Sequence, residues 1–347
     1  MPKIVKSLAA TWYHAQPFFE REQREVFARH WTFIASEKDL SESGQYVVAD
    51  IAGRSVVVVR NGEGVIKGFY NLCRHRAAGL CSGESGKVGL FRCPYHSWSY
   101  DLDGALKVAP GFEFDEEMRG QLGLLPIRVG VWNGLVFACL DWGCESLEEW
   151  LGDIREIAKD FPPIEGFEFY RMLENDGGIN WKTYSDNSAE GYHLASVHPN
   201  LNRALVESKT QIKTYDNGLF VGFDVTYRDE ADGSNGGRGF WVYKFPGLLL
   251  HFSMRSFNIE RIIPFGPRKT RMRRWFWFDP SVSSSEREET VRFSNEVMDQ
   301  DVGICVSVQA NLEGGQYETG YLSEDLEPGT IFFQTCLREA LAGESGC

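Results

Sequence analysis

A chain of 347 residues that is 43% hydrophobic can bury a sizeable core, and its length suggests two domains. Its formal net charge of −13 argues against a nucleic-acid partner, because that affinity rests on clustered Lys and Arg that displace counterions. No apolar run is long enough for a secretory signal or a membrane span, so a cytoplasmic protein with a small organic substrate or a protein partner is expected.

Residues 1 to 37 read as an N-terminal helical segment packing on the second domain, with Val26, Phe27, Trp31 and Ile34 at helical spacing. From 38 to 144, short β-branched or aromatic runs (46 to 49, 56 to 59, 65 to 71, 90 to 93, 131 to 140) are separated by Gly, Asn and Asp turns, the pattern of an all-β domain. The acidic segment ESLEEWLGDIREIAKDF puts Leu147, Trp150, Leu151, Ile154 and Ile157 on one helical face, and Pro162-Pro163 stops it. It opens a second domain over 145 to 347. There helices are expected at 182 to 195, 285 to 311 and 329 to 342, and strands at 219 to 227, 239 to 245, 248 to 263 and 270 to 279. The fold class is α+β, with the second domain built on an antiparallel sheet.

Eight cysteines are too scattered for a disulfide scaffold, so metal ligation is the better use for any cysteine in a close motif. Cys81, Cys139, Cys144, Cys305, Cys336 and Cys347 read as reduced thiols. The run NLCRHRAAGL sets Cys73 one residue from His75, and FRCPYHSWSY sets Cys93 two residues from His96. Two hairpin-tip loops, each offering a thiolate and an imidazole, can grip two neighbouring irons, thiolates on one and imidazoles on the other. Exchanging two thiolates for neutral histidines raises the potential to roughly −150 to +300 mV. A Cys2His2 zinc site uses the same ligand types, but zinc fingers place their histidines on a helix, which the Gly and Pro nearby do not favour.

The stretch CRHR, the gap and CPYHSWSYDLDG together resemble the Rieske motif of ring-hydroxylating oxygenases. A Rieske cluster alone suits an electron-transfer protein equally well, and the second domain separates the two. Its run INWKTYSDNSAEGYHLASVHPN carries His193 and His198, whose spacing suits one site if the helix loosens before Pro199. A facial iron site needs one carboxylate more. Spacing leaves Asp299 and Asp301 both open, and the resemblance favours Asp301 in QDVGICVSVQ.

The same resemblance implies a helix-grip catalytic domain, a Rieske 2Fe-2S cluster on Cys73, His75, Cys93 and His96, and a mononuclear Fe(II) on His193, His198 and Asp301. It gives Glu190 the role of joining His193 to His96 of a neighbouring chain, and puts Asp186 and Asn187 in hydrogen bonds near the iron. Electrons would come from NAD(P)H through a reductase, with or without a ferredoxin, in a homotrimer or larger ring.

An aromatic or related ring substrate is the favoured expectation, with Arg255 or Arg261 as a carboxylate anchor. An N-methylated cation such as a betaine, choline or carnitine is the alternative. Trp241, Tyr243, Phe245, Phe252, Phe257, Trp275 and Trp277 are expected to be mostly core, and His14, His30 and His251 ordinary histidines. The rivals from other classes are an electron carrier without substrate and a zinc hydrolase.

Overall fold

The computed structural model describes residues 3–207, 210–228 and 237–342, so Cys347 lies outside the described residues. The chain divides into two units: Phe27–Leu147, and Met1–Val26 together with Glu148–Cys347.

The first unit contains β1 (Thr32–Ser36), β2 (Gln45–Ile51), β3 (Arg54–Arg60), β4 (Ile66–Tyr70), β5 (Ser85–Lys87), β6 (Phe91–Arg92), β7 (Ser99–Tyr100), β8 (Leu106–Val108), β9 (Pro126–Trp132) and β10 (Leu135–Cys139). Seven of them form an antiparallel sheet in the order β1-β10-β9-β4-β3-β2-β5, and β6-β7-β8 form a second. The four valines of β3 explain the layering. Side chains alternate across a strand, so Val57 and Val59 pack with Phe91, Trp98 and Tyr100 while Val56 and Val58 pack with Ile34, Leu40 and Val136. Each buried valine contributes about 1.5–3 kcal/mol.

The expected helical segment ends earlier than residue 37. Helix covers Gln16–Glu22, a π-turn follows over Gln23–Phe27, and Thr32–Ser36 pairs with β10. Trp31 and Ile34 do share the spacing of a helix face, but their partners lie across a sheet. The boundaries accordingly fall at Val26 and Leu147.

The second unit carries β11 (Glu168–Gly177), β12 (Gln211–Tyr215), β13 (Phe220–Thr226), β14 (Arg238–Lys244), β15 (Leu248–Ser253), β16 (Ser256–Gly266) and β17 (Lys269–Phe278), an antiparallel sheet in the order β11-β17-β16-β15-β14-β13-β12. Around it lie α1 (Trp181–Ser188), α2 (Leu194–Val197), the 30-residue α3 (Ser284–Glu313), started by a Ser283–Glu286 capping box, and α4 (Pro328–Ala342). The run 248 to 263 is two strands because Ser253 Oγ accepts from the backbone N–H of Arg255 at 3.3 Å and of Ser256 at 2.9 Å, closing a turn inside an apolar run. Strand β11 has no sequence expectation. Its charged positions, Glu174 and Asp176, pair with Arg271 and Arg273 of β17 and mask the apolar alternation.

The N-terminal segment is tied to this unit: Ile4–Lys6 pairs with Tyr321–Ser323, and buried Glu22 accepts from Trp181 Nε1 at 2.7 Å and Lys182 Nζ at 2.6 Å. Among the described residues no helix is long and apolar enough to cross a membrane.

Candidate metal centres and cavity

The two Cys-His loops differ in spacing but close the same way. Cys73 N–H donates to Ala78 O at 2.8 Å and Ala77 N–H returns to Cys73 O at 2.9 Å; Cys93 N–H donates to Trp98 O at 2.8 Å and Ser97 N–H returns to Cys93 O at 3.0 Å. In each loop the fourth residue after the cysteine has positive φ, 58° at Ala77 and 62° at Ser97, the turn that brings the chain back. The second loop is the tip of the β6–β7 hairpin, in which Arg92 pairs with Ser99. Tyr100 Oη locks the first loop, 3.4 Å from Cys73 Sγ and accepting from Arg74 N–H at 3.0 Å.

The imidazoles meet with ring centroids 4.7 Å apart, His75 stacked on Trp98 at 4.9 Å and His96 exposed against Tyr95. Nδ1 of His75 is buried without a hydrogen-bond partner, a cost of about 1–3 kcal/mol that an electrophile at the lone pair removes. The donor set therefore fits a metal cluster. Among the described residues, no three of these four ligands come within 4.8 Å of one another, as ligands of one tetrahedral ion would.

The group that does converge is His193, His198 and Asp301. The helix expected over 182 to 195 ends at Ser188, and the backbone of Ala189 is crowded by the start of α4. A Cβ on Gly329 would lie 1.8 Å from Ala189 O, so that approach needs glycine. After the break, Glu190 closes a turn. Its carboxylate accepts from the backbone N–H of Tyr192 and of His193, and from His193 Nδ1 at 2.5 Å. His193 and His198 then flank the single turn of α2 as its N- and C-caps, Pro199 opens the next helix (Pro199–Ala204), and the two rings lie 5.2 Å apart.

Asp301 arrives from α3, with Oδ1 2.9 Å from His198 Nε2, 3.6 Å from His193 Nε2 and accepting from Asn187 Nδ2 at 2.6 Å. Asp299 is exposed and bonds Asn295 instead. His198 Nδ1 donates to Gln300 Oε1 at 2.7 Å, a partner the sequence reading missed, since a Gln beside a candidate ligand carries no signal of its own. With both Nδ1 atoms donating, each neutral ring turns an Nε2 lone pair toward the Asp301 carboxylate. Acceptor then faces acceptor, and only a proton or a cation reconciles them. Burial acts to lower the pKa of His198, but its bonds to Asp301 and Gln300 raise it overall, the signature of a site that wants positive charge.

Asp186 is not part of this group. It accepts from Tyr13 Oη at 2.5 Å and Gln334 Nε2 at 2.9 Å, and burial pushes its carboxyl up to about 7 against those donors. Asn187 faces Asp301 across the packing of α1 on α3, and the helical step of about 100° per residue turns its neighbour Asp186 another way around α1.

A cavity of about 440 Å³ opens over the trio. Two cross-strand rows form its wall: Phe223, Trp241, His251 and Asn258 in one, Tyr243, Leu249, Glu260 and Arg274 in the next. Of the seven expected aromatics only Trp241, Tyr243 and Phe252 line it; His251, read as ordinary, does too. Arg255 lines it but is paired with Glu286 at 3.1 Å, and Arg261 falls on the opposite face of β16 from Glu260.

The family model described as "Ring hydroxylating alpha subunit (catalytic domain)" matches residues 164–343, and the Rieske [2Fe-2S] domain model matches residues 30–115. Choline monooxygenase, chloroplastic, of Atriplex hortensis is 28% identical over 346 residues, 96% of this chain and 77% of that protein. The carnitine monooxygenase oxygenase subunit of Escherichia coli (strain K12) is 26% identical over 327 residues, 91% of this chain and 87% of that protein. Among solved structures, the quaternary ammonium Rieske monooxygenase CntA superposes with a TM-score of 0.88 at 22% identity, covering 98% of this chain and 96% of that one. Naphthalene 1,2-dioxygenase from Rhodococcus sp. gives 0.79 at 20% identity, covering 97% and 94%. At these identities the structural likenesses speak for the fold alone.

Proposed function

This chain belongs to the ring-hydroxylating alpha-subunit family and is a Rieske-type oxygenase with a 2Fe-2S cluster and a non-heme iron; from that premise we propose that its substrate is a quaternary ammonium compound of the choline, carnitine or betaine kind. The observation that carries the reading is the cavity wall over the trio, an aromatic row beside a buried carboxylate. An aromatic face and an anion are the two groups that attract an N-methylated cation. The similarity to choline and carnitine monooxygenases supports it. The aromatic-ring substrate expected from sequence has less support: of the two arginines expected to anchor a carboxylate, Arg255 lines the cavity but is paired with Glu286, and Arg261 faces away.

In this reading Cys73, His75, Cys93 and His96 hold the cluster, and His193, His198 and Asp301 hold the iron. When bound, the two groups supply electron transfer and O2 activation. The chain's own residues supply orientation. Glu190 and Gln300 fix the two Nδ1–H groups so that both Nε2 atoms face Asp301, Asn187 holds that carboxylate in place, and the rings of Phe223 and Trp241 shield the bound methyl groups from water. An electron carrier needs neither the trio nor the cavity.

The partners in this reading are a reductase, with or without a ferredoxin, and further copies of this chain in a ring, most simply a trimer. Glu190 then lies where it can also meet His96 of the partner subunit; a related monooxygenase structure has been described in terms of inter-subunit electron transfer. The test is turnover of iron-loaded protein with a reductase and NADH, offering choline, carnitine, glycine betaine and benzoate in parallel. Oxidised product, identified by mass spectrometry, is expected from at least one ammonium compound. Product from benzoate alone would sink the reading.

A further inference from the structure

Glu260 is a buried carboxyl group of the cavity that the metal site leaves unused. It is 4% exposed, lines the cavity, and its Oε1 has no hydrogen-bond partner. Its cross-strand neighbour Arg274 directs its hydrogen bonds elsewhere, to Ser294, Asn175 and Asn295. A carboxylate oxygen buried without a donor is unfavourable unless a ligand completes it. Burial accordingly pushes the Glu260 carboxyl up to about 7, against the pull of Arg274 and Tyr184.

The neighbouring row suits the same kind of ligand. Trp241 lies with its ring centroid 6.1 Å from Phe223 and 5.9 Å from His251, a continuous ring surface along the cavity wall. His251 does not oppose a cation there, because burial and Arg274 hold its pKa down at about 4 and leave the ring neutral near pH 7. A cation over this surface meets π-faces on one side and the free carboxylate oxygen in the next row.

We propose that Glu260 is the counter-ion of the substrate's trimethylammonium group, selecting a cation over a neutral molecule of the same shape. The proposal rests on the ammonium reading above and adds the residue that reads the charge. The bland competitor is that Glu260 only balances Arg274, in which case its loss destabilises the fold without changing ligand preference.

The experiment measures binding, not turnover. Iron-loaded full-length protein is titrated with choline and with its neutral carbon isostere, in which tert-butyl replaces trimethylammonium, by calorimetry and by ligand-induced shift of the melting temperature. Wild type should prefer choline by about tenfold or more, and Glu260→Gln should weaken choline by about 10- to 100-fold while leaving the isostere within about twofold. Glu260→Met, of similar length and apolar, should behave the same way and serves if the amide variant misfolds. A Glu260 variant that keeps the wild-type preference overturns the proposal, and the ammonium reading then stands on the aromatic row and the similarity to choline and carnitine monooxygenases alone. A wild type that binds the isostere as well as choline overturns the ammonium reading and this proposal with it.

Discussion

The two sets of metal-type ligands are assembled by opposite means. Cys73, His75, Cys93 and His96 lie on two loops close in sequence, each closed by its own pair of backbone hydrogen bonds and by one positive-φ residue. The trio draws His193 and His198 from either side of one helical turn and Asp301 from a helix 103 residues beyond His198. The first set is a property of local chain geometry; the second exists only when α1, α3 and α4 are packed. Damage should therefore stay local in the loops and spread in the trio.

The largest effect sharpens that contrast. Cys93→Ala is expected to remove the visible absorption of the cluster completely, while iron content of the second unit and its far-ultraviolet circular dichroism stay unchanged. His198→Ala should do the reverse, emptying the mononuclear site and abolishing turnover while the cluster spectrum survives. Loss of both signals in either variant would show that the two units are not independent. Gln300→Leu, which removes only the acceptor for His198 Nδ1, should weaken iron binding by about 10- to 100-fold, as losses of ligand-orienting partners do; a chelator competition reads it directly.

Asp186 tests how far the packing around the trio extends. Its folded pKa, about 7, lies above the ordinary 3.8, so the native state holds a proton that the unfolded chain releases. Its contribution is fully present below about 3.8 and is lost as the pH rises toward 7. Wild type should lose up to about 1.4 kcal/mol per pH unit relative to Asp186→Asn across that window in urea titrations. Parallel pH profiles would mean that Asp186 is ionised throughout. The smallest effect is Asp299→Ala, within about twofold of wild type in iron content, as expected of a solvated side chain. A large loss there would reverse the choice between the two aspartates.

What the sequence disclosed follows the same contrast. Four ligands on two loops with fixed offsets leave a pattern that survives without coordinates, and so do β-branched runs such as the valines of β3. His193 and His198 were legible because Pro199 signals a break in the helical chain beside them. The partners that orient them were legible only in part: Glu190 and Asn187 sit beside the histidine motif, whereas Gln300 reaches His198 through tertiary packing. Asp186 shows the limit, because a helix separates adjacent polar residues by about 100° and no composition rule says which one faces the site. Strand β11 escaped notice because its ion pairs with β17 put charge where alternation looks for apolar residues. His251 looked ordinary because a cavity wall is built across strands, between residues distant in sequence.

The strand pairing of Ile4–Lys6 with Tyr321–Ser323 sets an order of events during synthesis. At about 5–20 residues per second, the partner of Ile4–Lys6 leaves the ribosome roughly 15 to 60 s after that strand does. The β unit from Phe27 to Leu147 is contiguous and meets no such delay. Its two loops can close while the catalytic sheet is still being translated, so Cys73, His75, Cys93 and His96 can be in place before Asp301 has been made.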